Sequence, residues 1–145
     1  MRVLVSACLL GVCCRYDGQS KAYPLVEELC RRHEVVPVCP EQLGGLSTPR
    51  TPAERQGGRV VTKTGGDVTE QYLRGAAEAV RLAQLLGCSV AVLKERSPSC
   101  GSGAVYDGTF TGTLTDGFGT AAEALRAAGI RVLGESQLAA FLAEN

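Results

Sequence analysis

The sequence predicts an α/β fold: a single three-layer Rossmann-like domain spanning residues 1–145, with a mostly parallel sheet. Three observations lead there. Short β-branched apolar runs alternate with longer amphipathic segments, the pattern of successive βαβ units. The apolar runs show little polar alternation, as expected of strands covered on both faces. The length is that of one domain and can bury a core without disulfide or metal staples.

The first strand is expected over residues 2–7, where Val3, Leu4 and Val5 lead to Cys8 and the break at Gly11. The loop that follows, Val12 to Ser20, places Arg15, Tyr16 and Asp17 among turn residues. A helix is predicted from about Tyr23 to Arg32, with Leu25, Val26, Leu29 and Cys30 on one side. His33, the sole histidine, follows it and reads as a solvated helix-end residue whose charge suits the dipole. Glu34 to Val38 is a second strand, ending at Cys39-Pro40-Glu41. Residues 42–55 are too rich in Gly and Pro for a regular element and read as a structured loop over a site. Arg59 to Lys63 is a short edge strand between two Gly-Gly turns.

The clearest helix starts at Asp67 or Thr69, either able to cap it, and runs to about Leu86 before Gly87. Ser89 to Leu93 is the third buried strand. It leads into Lys94-Glu95-Arg96-Ser97-Pro98-Ser99-Cys100-Gly101-Ser102-Gly103, a stretch poor in core-forming residues and well suited to a site. Residues 104–112 read as a small hairpin about Asp107-Gly108. Residues 116–120 introduce a helix over about 121–128; a last strand, 130–133, and a helix, 135–142, complete the chain.

Composition narrows the functional classes. Fifteen basic residues balance fifteen acidic ones, so the totals provide no attraction for nucleic acid or an anionic membrane. At 5% aromatic residues and no tryptophan, little is left for base-stacking platforms, which argues against a single-strand binder. Met1 to Cys8 is too short an apolar run for a signal peptide, and nothing reaches the length of a membrane span. A cytoplasmic protein is expected, its seven cysteines reduced unless metal holds them.

Cys8, Cys39 and Cys100 each stand at or just past the carboxyl end of a predicted strand, where ligand sites of open parallel sheets collect. Three thiolates from three loops can hold a metal centre and leave one coordination position open. All-thiolate ligation suits zinc and iron-sulfur clusters alike. Cys13 and Cys14 are alternatives to Cys8, whereas Cys30 and Cys88 read as small buried hydrophobes. Glu41, two residues past Cys39, is placed to act as general base or acid; its ordinary alternative is a capping or salt-bridge role. Ser97 is placed to relay a proton or hold substrate, or else to cap the Pro98 turn. Arg15, Tyr16, Arg50 and Arg96 are suited to a planar or anionic ligand. No dinucleotide-binding fingerprint and no phosphate-binding Walker loop is present.

Three ordered phrases carry a family resemblance: Ser6-Ala7-Cys8-Leu9-Leu10-Gly11 with Cys14-Arg15-Tyr16-Asp17-Gly18, Cys39-Pro40-Glu41 with Gly44-Gly45-Leu46, and Lys94 through Gly101. Together they resemble the thiouracil desulfidase family, long catalogued as a domain of unknown function. The resemblance implies a 4Fe-4S cluster held by Cys8, Cys39 and Cys100, its fourth iron without a protein ligand. It also implies acid/base work by Glu41 and a supporting role for Ser97. The implied substrate is a thiolated base or nucleoside such as 4-thiouracil, desulfurated to a carbonyl with release of hydrosulfide and no net redox change. The rival readings are a cluster-binding sulfur carrier or sensor without turnover, which would be indifferent to Glu41, and a zinc or thiol enzyme.

Overall fold

The computed structural model describes residues 1–145. In chain order the first elements are β1 (Arg2–Ser6), α1 (Leu25–Arg32), β2 (Glu34–Val38), α2 (Pro40–Leu43), β3 (Ala53–Gln56) and β4 (Arg59–Thr62). They are followed by α3 (Thr69–Leu85), β5 (Cys88–Leu93), β6 (Ser102–Tyr106), β7 (Leu114–Phe118), α4 (Thr120–Ala127), β8 (Arg131–Gly134) and α5 (Leu138–Glu144). Strands β2, β1, β5 and β8 lie side by side in that order and pair parallel throughout.

Period-two alternation in these strands feeds two cores, one on each face. Val3, Val5, Val90, Val92 and Leu133 point to one side, against Val26 and Leu29 of α1 and Leu138 and Phe141 of α5. Leu4, Val38, Ala91 and Leu93 point to the other, against Ala79 and Ala83 of α3 and Ala122 and Leu125 of α4. The result is the predicted Rossmann-like three-layer arrangement. Pro37, which has no N–H to donate, is tolerated because β2 is an edge strand.

From β1 the chain moves to β2 on one side, then crosses back through α3 to β5 on the other. The direction of winding therefore reverses between β1 and β5. Beyond the carboxyl ends of those strands the outgoing loops separate and leave a crevice. Ser6 Oγ accepts the Lys94 amide N–H at 2.9 Å, joining the two strand ends at the floor of that crevice.

The structure corrects the sequence reading at several points. Residues 42–55 are not all loop: Pro40–Leu43 forms a helical turn with Pro at its start, and Ala53–Gln56 pairs antiparallel with β4 in a separate ribbon. Arg59–Thr62 thus edges that ribbon, not the main sheet. The second hairpin is wider than Asp107-Gly108 suggested, joining β6 to β7 through residues 107–113. Gly108 is docked instead of turning alone: its N–H donates to Glu54 Oε1 at 2.9 Å, and its carbonyl accepts Gln56 Nε2 at 2.9 Å. Asp116-Gly117-Phe118 belongs to β7 and not to a helix approach. Cys30, predicted to be a buried hydrophobe, is exposed, whereas Cys88 is buried as expected.

His33 is also corrected. It ends α1, but both ring nitrogens are shielded from solvent without a hydrogen-bond partner, and the ring packs 5.7 Å from that of Phe141. Burial, aided by the N-terminal amine and Arg32, lowers its pKa, so the neutral form is the one that fits. No helix is long and apolar enough to cross a membrane.

Candidate metal centre and active site

Each candidate thiol is delivered by a local feature of the backbone. β1 passes into a 3-10 turn over Ala7–Leu10, which turns Cys8 back over the strand end at 8% exposure. Cys39 is the extended residue just before α2, fixed there by Pro40 at the first helical position. Cys100 follows the Pro98 turn, at 4% exposure. All three line one cavity of about 570 Å³ at the carboxyl ends of the strands.

Glu41, Ser97, Arg15, Tyr16, Arg50 and Arg96 line the same cavity, so the predicted site residues come together without exception. Glu41 lies in the first turn of α2, buried, with Oε2 3.8 Å from Arg50 Nη2. The Arg50 side chain is only 9% exposed, and its Nη1 donates to the Ser47 carbonyl at 3.2 Å and Thr48 Oγ1 at 3.1 Å. Its backbone N–H donates to the Tyr16 carbonyl at 2.8 Å, tying two site loops together. Helix α2 is pressed onto α3 where Gly75 meets Pro40: a Cβ at Gly75 would fall on the Pro40 carbonyl oxygen. A glycine in a helix interior thus sets the position of Glu41.

Arg15 is half-buried, with Nε 3.8 Å from Asp17 Oδ1 and its guanidinium 5.5 Å from the Tyr16 ring centre. Arg96 is exposed and holds φ +70, one of only two non-glycine residues with positive φ. The other, Phe110 at φ +58, lines the same cavity. Left-handed backbone at bulky residues concentrates at functional sites.

Sequence reasoning missed several cavity residues. Lys94 lines the cavity and pairs with Glu135 at 3.0 Å, while Tyr72 and Phe110 contribute apolar wall. Phe110 is held by its N–H to Glu54 Oε1 at 3.2 Å. None of these carries a spacing signal; the folding of the β6–β7 hairpin onto β3 brings Phe110 in. Lys21, Lys63 and Arg96 face the cavity without any ion pair within 4.0 Å.

The alternatives to Cys8 separate cleanly. Cys13 is exposed, whereas Cys14 is buried at 2% exposure and lines the cavity as a fourth thiol. Cys39 Sγ lies 3.8 Å from the Cys14 carbonyl oxygen. Burial pushes the Cys8 thiol up to about 11, helped by Cys14 and Glu41, and pushes Cys14 up to about 12, helped by Cys39. Burial also raises Cys39, and raises Cys100 well above the usual range. Such thiols are inert alone; a soft metal that displaces their protons is what makes thiolates of them.

No three His, Cys, Asp or Glu side chains converge closely enough to hold a single metal ion. A cluster takes each thiolate on a different iron, and Cys8, Cys39 and Cys100, shielded in one crevice, form a donor set of the kind it needs.

Comparisons with known proteins give a family and a solved structure of the same fold. A family model described as 2-thiouracil desulfurase matches residues 3–137. The Bacillus subtilis (strain 168) protein YbbK, described as uncharacterized, is 45% identical over 146 residues, covering 94% of this chain and 97% of YbbK. The solved structure of the 4Fe-4S-dependent thiouracil desulfidase TudS is 47% identical, covers 99% of both chains and matches with a TM-score of 0.92.

Proposed function

The chain belongs to the 2-thiouracil desulfurase family, and from that premise we propose that it is a 4Fe-4S-dependent desulfidase of thiolated pyrimidines. The proposed reaction replaces C=S by C=O: water supplies the oxygen, sulfur leaves as hydrosulfide, one proton is released and no electrons are transferred. The observation that carries the proposal is the meeting of Cys8, Cys39, Cys100 and Glu41 in one cavity at the switch point of the sheet.

Cys8, Cys39 and Cys100 are the proposed ligands, three protein thiolates for four irons. When bound, such a cluster supplies a soft Lewis acid that polarises the thiocarbonyl. Glu41 takes a proton from water in the attack on the ring carbon. Arg50, 3.8 Å away and itself fixed by Ser47 and Thr48, restrains the carboxylate and balances its charge. Tyr16 and Phe110 offer faces for a planar ring. The unpaired Lys21, Lys63 and Arg96 suit a substrate carrying an anionic group as well as a thiolated base or nucleoside.

The test is anaerobic reconstitution with iron and sulfide, followed by hydrosulfide release from 4-thiouracil and 4-thiouridine. Glu41→Gln is expected to retain the cluster's visible absorption and lose about 100-fold or more in turnover, the range typical of a general base. Unchanged turnover in a loaded Glu41→Gln protein refutes the base assignment. A loaded wild type that releases no hydrosulfide from any thiolated pyrimidine favours the carrier or sensor reading instead.

A further inference from the structure

Cys100 is buried at 4% exposure, and its sulfur ends a chain of hydroxyls. Ser97 Oγ accepts the backbone N–H groups of Ser99 and Cys100, each at 3.1 Å. Those two bonds occupy both its lone pairs, so its own proton is left for donation. Ser99 Oγ lies 3.1 Å from it, and Ser99 Oγ in turn donates to Cys100 Sγ at 3.4 Å. The direction of the chain is therefore fixed: Ser97 to Ser99 to sulfur. Ser99 is fully buried, so no solvent competes for its proton. Gly119 seals the arrangement, since a Cβ there would strike the Ser99 carbonyl group.

Hydrogen bonds to ligand sulfur draw charge from it and set cluster potentials.

We propose that Ser99 is a positioning residue: its hydroxyl, aligned by Ser97, hydrogen-bonds the Cys100 sulfur and makes a cluster held there easier to reduce and more electrophilic. The proposal rests on the reading of Cys100 as a ligand. It gives Ser97 a role through Ser99 and not through direct contact with substrate.

The experiment compares reconstituted wild type, Ser99→Ala, Ser97→Ala and the double variant by redox titration followed by visible absorption and electron paramagnetic resonance. Ser99→Ala is expected to titrate at a resolvably lower potential at unchanged melting temperature. Ser97→Ala should shift the same way by less, and the double variant no further than Ser99→Ala alone. Resonance Raman bands of iron-thiolate stretching should shift when wild type is reconstituted in deuterium oxide and lose part of that shift in Ser99→Ala. A loaded Ser99→Ala protein with the wild-type potential overturns the inference while leaving the desulfidase reading intact. If Ser99→Ala does not fold, the absence of a deuterium shift in wild type overturns it. A wild type that binds no cluster removes both.

Discussion

The two faces of the sheet are filled in opposite ways. The face under α1 and α5 is packed by large side chains, with Phe141, Leu9, Leu29 and Leu138 among its 14 buried residues. The face under α3 and α4 has 11 buried residues, including Ala79, Ala83, Ala91 and Ala122, and Gly75 lets backbone approach backbone nearby. Cys8 and Cys14 belong to the first cluster, which Cys39 packs against, and Cys100 belongs to the second. The candidate metal centre thus lies on the seam between two cores. A site fed from both is rigid only if both are intact, and each face has its own way of failing.

Ligand removal is the sharpest test of the seam, because a cysteine from either face should matter equally. Cys8→Ser and Cys100→Ser are each expected to lose the visible iron-sulfur absorption and more than the roughly 100-fold in activity that outer-shell changes cost. Cys13→Ser and Cys30→Ser, at exposed thiols, should load and turn over normally. Loading that survives Cys100→Ser but not Cys8→Ser would confine the centre to one face.

The next largest effect is on the large-residue face. Phe141→Ala removes a 1% exposed ring and should destabilise by about 3–5 kcal/mol, read as a drop in urea midpoint at constant slope. The small-residue face should fail in the reverse sense. Gly75→Ala gains about 1 kcal/mol of helix propensity in an open helix. Here the added methyl meets the Pro40 carbonyl, so a net loss of about 1–3 kcal/mol is expected, together with reduced turnover as Glu41 is displaced. A stabilised Gly75→Ala protein would show that α2 can slide away from α3 at no cost.

The smallest effect separates the faces by pH. His33 packs on Phe141 and its pKa is lowered on folding, so unfolding takes up a proton wherever the unfolded imidazole is charged and the folded one is not. Its contribution is complete above the ordinary 6.5 and declines as pH falls below it, with a slope of at most one proton. Urea midpoints between pH 7.5 and 5.5 should fall in wild type and fall less in His33→Phe. Equal slopes in the two proteins would mean that the ring titrates as freely in the folded state as in the unfolded one.

Much of this molecule is legible in the chain because the signals are local. Val3-Leu4-Val5 and Val90-Ala91-Val92-Leu93 are apolar without alternation, which already implies strands covered on two faces. Cys8 and Cys39 stand just past such strands and Cys100 lies in the loop that leaves β5, so their place at the carboxyl end of the parallel sheet, where all three line the cavity, was legible from order along the chain. Glu41 and Ser97 travel with them, being two and three residues from a cysteine.

Other features depended on partners remote in sequence. Whether Ala53–Gln56 is loop or strand was decided by Arg59–Thr62, and the hairpin tip by Glu54 and Gln56 reaching it from some fifty positions away. His33 looked like an ordinary helix end because nothing near it announces Phe141. The chain alone determined the sheet, its covered faces and the thiols at its carboxyl edge, since period and punctuation are properties of neighbours. Only the tertiary structure decided which thiols are shielded, which hydroxyls aim at them and which cations stay unpaired, because burial and hydrogen-bond direction are set by groups that meet only after the chain has closed on itself.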